Sequence, residues 1–282
     1  MKTGVIIDCL KKDFEDAASV CAEIGFDGIQ LHLSGELSPS KVTLSAVEKR
    51  RKTAERYGLE IPSAVGDAGG FGFVSKNDNP EKIKYVEKKI DTAFELGAGV
   101  VTAHIGVIPE EPLCEERRAM LYALNVIGEY AEKKGMVYAI ETGPEPASRL
   151  RGFISSLSSG GIGVNLDPAN LVMVTDDDPA EAAKTLSAYI AHTHVKDGKL
   201  VKKTDPKVIY DYFAVGGIED MRLSDYFVET PLGEGGVDFD RYFKALKEIG
   251  YDGYLTVERE TGRDPEKDIR KAYEFIKSRI LG

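Results

Sequence analysis

Residues 189–197 read Tyr-Ile-Ala-His-Thr-His-Val-Lys-Asp and hold two of the chain's four histidines, His192 and His194. Three further short runs carry acids beside apolar residues: Glu141 in IETGPE, Asp167 in GVNLDPANL and Glu258 in GYLTVERE. An imidazole and several carboxylates brought to one point are ligands for a divalent cation. Three carboxylates with one imidazole form a hard, oxygen-rich set, for which Mn²⁺ is the first choice and Mg²⁺, Co²⁺ and Zn²⁺ are alternatives. Whether these groups meet depends on the elements that carry them.

Those elements repeat along the chain. AEIGFDGIQLHL (22–33) resembles KEIGYDGYLTVE (247–258), and in each a helical pattern ends at a glycine, Gly25 or Gly250, before an alternating apolar run. Glycine just past a helix takes the left-handed conformation without steric cost. Similar punctuation falls at Gly58, Gly97, Gly135 and Gly160. Eight strands are predicted, at 3–8, 28–33, 61–65, 100–106, 137–142, 162–167, 190–196 and 253–259, with helical patterns between them. Strand–helix alternation of this kind predicts an α/β fold, a single (β/α)8 TIM barrel over residues 1–282, with catalysis at the C-terminal ends of its strands. A doubly wound open sheet fits less well, because no Gly-x-Gly-x-x-Gly opens the first helix. The segment at about 198–236 is far longer than an ordinary βα loop.

Side chains alternate along a strand, so parity assigns faces. In strand seven Ala191, Thr193 and Val195 face the helices, leaving His192, His194 and Lys196 inside. The same rule turns Glu141, Asn165, Asp167, Tyr254, Thr256 and Glu258 inward, together with His104 of strand four and His32 of strand two. A lone inward carboxylate is commonly an ordinary ion-paired residue. Converging from strands five, six and eight, however, Glu141, Asp167 and Glu258 would repel one another without a cation between them.

Net charge is −10, which opposes binding to nucleic acid or to an anionic membrane. Three cysteines without ligand-like spacing suit a reducing compartment. The N-terminal apolar run is broken by Asp8, and no stretch approaches the roughly 20 apolar residues of a membrane span. A cytoplasmic protein with no nucleic-acid or membrane partner is the expectation; homo-oligomerisation stays open.

IETGPE, GVNLDPANL, HTHVKD, and PLGEGGVDF followed by GYLTVERE together resemble the xylose-isomerase-like TIM-barrel superfamily. The resemblance is nearest to its sugar phosphate isomerase/epimerase group, which includes ketose 3-epimerases and inosose dehydratases. It implies metal ligation by Glu141, Asp167, His194 and Glu258, with Glu141 and Glu258 also exchanging the substrate proton. Many epimerases of the group bind substrate through a histidine three residues after the metal aspartate; this chain has Asn170 there.

Metal-held carbonyl and hydroxyl oxygens acidify the neighbouring C–H, and a carboxylate can then remove that proton to give a metal-stabilised ene-diolate. Proton return to the same carbon is epimerisation, and return to the adjacent carbon is aldose–ketose isomerisation. Loss of a β-hydroxyl is dehydration, the polyol or inosose-type alternative. A phosphodiesterase or abasic-site endonuclease of the same superfamily is a further alternative, disfavoured by the acidic surface and by the scarcity of histidine. His104, Lys196, Asn170 and His32 are candidate substrate-binding residues, and His192 lies beside the metal histidine as a supporting group. An ion pair with Asp197 or with a rim carboxylate would account for Lys196 equally well.

Two segments are expected to cover the site: GDAGGFGFVSKN (66–77), as a mobile apolar lid, and the 198–236 segment, where Asp205-Pro206 announces an inserted helix. GEGG at 233–236 could cradle phosphate, but Glu234 argues against it and a simple turn suffices. Asp176-Asp177-Asp178 before Pro179 reads as helix capping rather than a metal loop.

Overall fold

Amphipathic spacing explains the helices. In α9 (Phe239–Glu248) Phe239, Tyr242, Phe243 and Leu246 fall at i, i+3, i+4 and i+7 and are all buried. Burying a side chain of that size stabilises by about 1.5–3 kcal/mol. Asp238 begins this helix by accepting a hydrogen bond from the Arg241 amide at 3.1 Å. Asp178 does the same for α7 (Pro179–Thr185), accepting from Ala180 N at 2.9 Å, as its place in the acidic run predicts. Gly25 and Gly250 end their helices with φ of 102° and 76°, in the left-handed region.

A computed structural model describes residues 1–280. Its strands are β1 (Lys2–Ile6), β2 (Gly28–His32), β3 (Glu60–Val65), β4 (Val100–Ala103), β5 (Val137–Glu141), β6 (Ile162–Leu166), β7 (Ile190–Val195), β8 (Asp197–Leu200), β9 (Phe227–Thr230) and β10 (Tyr254–Val257). The other helices are α1 (Phe14–Ile24), α2 (Leu44–Arg56), α3 (Asn79–Leu96), α4 (Glu115–Lys133), α5 (Ala147–Ile154), α6 (Pro168–Asn170), α8 (Pro206–Val215) and α10 (Pro265–Ile280). Eight strands close a parallel barrel in the order β1-β10-β7-β6-β5-β4-β3-β2. Closure comes from β1, which pairs β10 through Lys2↔Tyr254 and β2 through Gly4↔Gly28. The sheet is therefore closed rather than doubly wound and open.

Several strands are shorter than expected. β4 stops at Ala103 and β10 at Val257, so His104 and Glu258 lie one residue past their strands. Beyond β4 the chain leaves the ladder because residues 66–77 take its hydrogen bonds. Phe73 N donates to Ile105 O at 3.0 Å and Gly66 N to Thr102 O at 2.8 Å. Phe73 is buried and Lys82 Nζ donates to Gly72 O. This segment, expected to be a mobile lid, is instead fastened to the exit of β4.

The insertion after β7 has structure of its own. β8 and β9 pair antiparallel, Asp197↔Thr230 to Leu200↔Phe227, outside the barrel. Between them runs α8, begun at Asp205, whose carboxylate accepts from Lys207 N at 2.9 Å. Arg259 ties the insertion to the barrel, bonding Glu229 of β9 at 2.5 Å and Asp268 of α10 at 3.0 Å. GEGG is more than a turn. The Asp197 carboxylate accepts backbone N–H bonds from Gly198, Gly233, Gly235 and Val237 at 2.8–3.1 Å, so the loop cradles an anion of the chain itself.

Candidate metal centre

Glu141, Asp167, His194 and Glu258 offer one ligand atom each, all within 4.8 Å of one another. They stand within one residue of the C-terminal ends of β5, β6, β7 and β10, neighbours in the barrel, and expose only 5%, 0%, 1% and 11% of their side chains. Four strands thus bring four side chains that could hold a metal ion to one point at the C-terminal mouth, as strand parity predicts.

Each side chain is held by a different local device. Asp167 caps the turn opened by Pro168, and its Oδ1 accepts from Ala169 N at 2.7 Å and Asn170 N at 3.0 Å. Its Oδ2 is buried without a hydrogen-bond partner. Thr142 fixes the same residue from β5: Asp167 N donates to Thr142 Oγ1 at 2.8 Å and Thr142 Oγ1 donates to Asp167 O at 2.9 Å. Glu141 accepts from Asn170 Nδ2 at 3.1 Å and from Asn165 Nδ2 at 3.2 Å. His194 Nε2 bonds Gln30 Oε1 at 2.9 Å. Its Nδ1 lies 3.0 Å from Glu258 Oε2, 3.6 Å from Glu141 Oε1 and 3.7 Å from Asp167 Oδ2. Glu258 Oε2, although this close, lacks the alignment of a hydrogen bond and is also unpartnered. Two buried carboxylate oxygens without an aligned hydrogen bond, facing one imidazole nitrogen, fit a cation better than they fit one another.

The electrostatics point the same way. Burial alone would raise the pKa of Glu141 and Glu258, but His104 and His194 outweigh it for Glu141, and Lys196 and His194 for Glu258, so both stay ionised. Burial disfavours a charged His194, yet Glu258 and Glu141 hold its imidazole protonated well above the ordinary range. A proton on His194 thus stands where a metal would bring its charge.

His192 sits one layer below. Its Nε2 lies 2.9 Å from Thr256 Oγ1 and 3.2 Å from Ser63 Oγ, and burial, then the charge on His194, keeps it neutral. Its contacts are those of a supporting residue. Lys196 does not reach Asp197; its Nζ lies 2.5 Å from Glu260 Oε2 and 3.3 Å from Glu258 Oε2, because Asp197 is taken by the glycine loop. Asn170 spends its amide on Glu141 and, at 3.2 Å, on Thr142 O. His104 and His32 stand at the mouth, each on an aspartate from the end of the preceding strand. Asp67 Oδ1 accepts from His104 N at 2.6 Å and lies 3.4 Å from Nδ1; Asp8 Oδ2 accepts from His32 N at 3.0 Å and lies 3.1 Å from Nδ1. Burial opposes charge on His104, but Glu141 and Asp67 prevail and push its pKa up to about 10. His32 is raised likewise, Asp8 outweighing burial.

Gln30, Asn165, Asp8 and Asp67 were not singled out by motif. Alternation already turns Asn165 inward with Asp167, and Gln30 shares the inward parity of His32, so the same rule reaches it; Asp8 and Asp67 lie two residues past β1 and β3.

A closed parallel eight-stranded barrel with a metal-competent cluster at its C-terminal mouth defines the class. The family model described as xylose isomerase-like TIM barrel matches residues 18–279, and the chain belongs to that family. L-ribulose-5-phosphate 3-epimerase UlaE of Escherichia coli is 27% identical over 233 residues, covering 79% of this chain and 73% of that protein. An uncharacterized protein of Methanocaldococcus jannaschii is 27% identical over 99% of this chain and 92% of its own length. Among solved structures, a D-tagatose 3-epimerase-like protein has the same fold, with a TM-score of 0.74, 24% identity and full coverage of both chains. Among the described residues no helix is long and apolar enough to cross a membrane.

Proposed function

We propose that this chain is a divalent-metal-dependent isomerase or epimerase of sugars or sugar phosphates. It is an enzyme of the isomerase class, acting by proton transfer through an ene-diolate. The observation that carries the reading is the meeting of Glu141, Asp167, His194 and Glu258 at one buried point, with the two glutamates as the outer members of the arc. Kinship with L-ribulose-5-phosphate 3-epimerase supports the substrate class. A divalent cation held there, with Mn²⁺ preferred, would polarise a substrate carbonyl and acidify the adjacent C–H.

The protein's own groups do the rest. Glu141 and Glu258, both kept ionised, take and return the proton from the two ends of the arc. His104 and His32 offer N–H donors to substrate oxygens at the mouth. Lys196 holds Glu258 and is close enough to meet a substrate oxygen or phosphate. Asn170 steadies Glu141 through its amide and keeps its carbonyl for substrate.

In heavy water, Mn²⁺-loaded protein incubated with D-fructose, D-tagatose, D-psicose or L-ribulose 5-phosphate is expected to place solvent deuterium next to the carbonyl. Glu141→Gln and Glu258→Gln should each slow this by about 10²–10⁴-fold. Absence of exchange with every substrate would reject the reading. Release of water from the sugar without deuterated ketose would turn it to the dehydratase alternative.

A further inference from the structure

Helix α8 of the insertion turns one residue into the barrel mouth. Ile209 anchors the helix and is buried, whereas Val208, Phe213 and Val215 lie on its exposed side. Tyr210 projects toward the metal-competent cluster. Its ring centroid lies 5.7 Å from that of His104 at an interplanar angle of 50°. Its hydroxyl fills the space that a side chain at residue 143 would need: a Cβ on Gly143 would overlap the phenol oxygen and would lie 3.4 Å from Asn170 Cβ. Gly143 is two residues past Glu141, and Asn170 is the residue bonded to Glu141, so the phenol stands over the Glu141 end of the arc.

Among the described residues the Tyr210 hydroxyl makes no hydrogen bond; burial, then the nearby Glu141, Glu145 and Asp167 carboxylates, keep it protonated. Tyrosines elsewhere in the barrel find acceptors, Tyr242 donating to Leu166 O at 3.2 Å, Tyr251 to Tyr254 O at 2.9 Å and Tyr254 to Glu60 at 2.6 Å, whereas the buried Tyr138 hydroxyl, like that of Tyr210, has none. An aromatic O–H left over beside a polar centre is a donor awaiting an acceptor. The flat ring also offers an apolar face to the C–H side of a sugar, next to the imidazole of His104.

We infer that Tyr210 is a substrate-binding, specificity-determining residue that donates its hydroxyl hydrogen to an oxygen of a polyhydroxylated substrate lying between His104 and Asn170. The inference rests on the isomerase reading above. It assigns the insertion a part in the active site: α8 supplies one wall of it.

The test is Tyr210→Phe, which removes the hydroxyl and keeps the ring, with Tyr210→Leu as a second variant. The readout is solvent-deuterium exchange with whichever of D-fructose, D-tagatose, D-psicose and L-ribulose 5-phosphate the wild-type chain exchanges fastest. For Tyr210→Phe the expected result is a KM raised roughly 3- to 10-fold, the size of one neutral hydrogen bond, with kcat within about twofold. Tyr210→Leu should raise KM further, while both variants keep the wild-type Mn²⁺ affinity and melting temperature. A purely structural plug predicts the reverse, a lowered melting temperature with KM unchanged. Equal KM values for wild type and Tyr210→Phe would overturn the inference alone. No exchange by the wild-type chain would overturn the isomerase reading and this assignment with it.

Discussion

His194 and Gln30, 164 residues apart in sequence, meet inside the barrel at 2.9 Å, imidazole Nε2 against amide Oε1. Gln30 in turn donates from Nε2 to Thr102 Oγ1 at 2.8 Å, so its amide cannot rotate without losing one bond. The contact fixes the proton on Nε2 and presents Nδ1 to the three carboxylates. Replacement by Leu keeps the volume but frees the ring. Gln30→Leu is expected to weaken Mn²⁺ binding about 10- to 100-fold by titration calorimetry. In the metal-free protein, the ¹⁵N shifts of His194 should report altered protonation of the ring.

Lys196 is buried between Glu258 and Glu260, and removing it leaves Glu258 charged in a poorly solvated place. Breaking such a pair from one side costs about 3–5 kcal/mol. Lys196→Met should therefore destabilise the chelator-treated protein strongly. Saturating Mn²⁺ should recover much of the loss, because the cation supplies the missing positive charge. Thermal unfolding with and without metal measures both; an equal loss in the two conditions would show that Lys196 is not coupled to the cluster.

Legibility from sequence followed the reach of alternation. Along β5, β6, β7 and β10, and at the residue that follows β6 and β10, each side chain's face is set by its neighbours, so Glu141, Asp167, His194 and Glu258 can be brought together from the sequence. Helix ends at Gly25 and Gly250 were equally local. What alternation does not cover was missed or misread. The 66–77 segment looked free because nothing local shows that Phe73 plugs into the exit of β4. For Lys196 the sequence leaves Asp197 and a rim carboxylate as partners; the structure pairs it with Glu260 and Glu258, because the backbone cradle of Gly233, Gly235 and Val237 claims Asp197. Tyr210 sits in an insertion whose sequence gives its helix but not the direction in which that helix aims.

That cradle has a direct consequence. A Cβ on Gly235 would overlap the Asp197 carboxylate, which uses four backbone donors to join β8 to the loop before α9. Gly235→Ala should lower stability by roughly 2–4 kcal/mol in chemical denaturation. Much of that loss comes from disrupting hydrogen bonds to a buried charge.

Glu145 supplies a pH signature. It is buried, with Oε1 unpartnered and Oε2 accepting only a 3.4 Å bond from Ile108 N. Burial pushes its pKa up to about 8, the Ile108 amide and the Arg149 and His104 cations recovering only part of the cost. The folded protein thus binds this proton more tightly than the unfolded chain, whose ordinary value is 4.5. The contribution is complete below about pH 4.5 and is lost as pH rises towards 8, a slope of about −1.4 kcal/mol per pH unit in between. Glu145→Gln should remove that slope, so the difference in stability between variant and wild type grows in the variant's favour from pH 5 to pH 8. A constant difference across that range would mean that Glu145 is already ionised in the fold.

The central claim is that Glu141, Asp167, His194 and Glu258 form one cation site. Metal content after equilibrium dialysis against MnCl2 and gel filtration tests it most directly. The wild-type chain is expected to retain about one divalent ion per chain, and Asp167→Asn and His194→Ala almost none. Retention of no ion by the wild-type chain, of about three ions, or of an undiminished ion by both variants would contradict the account.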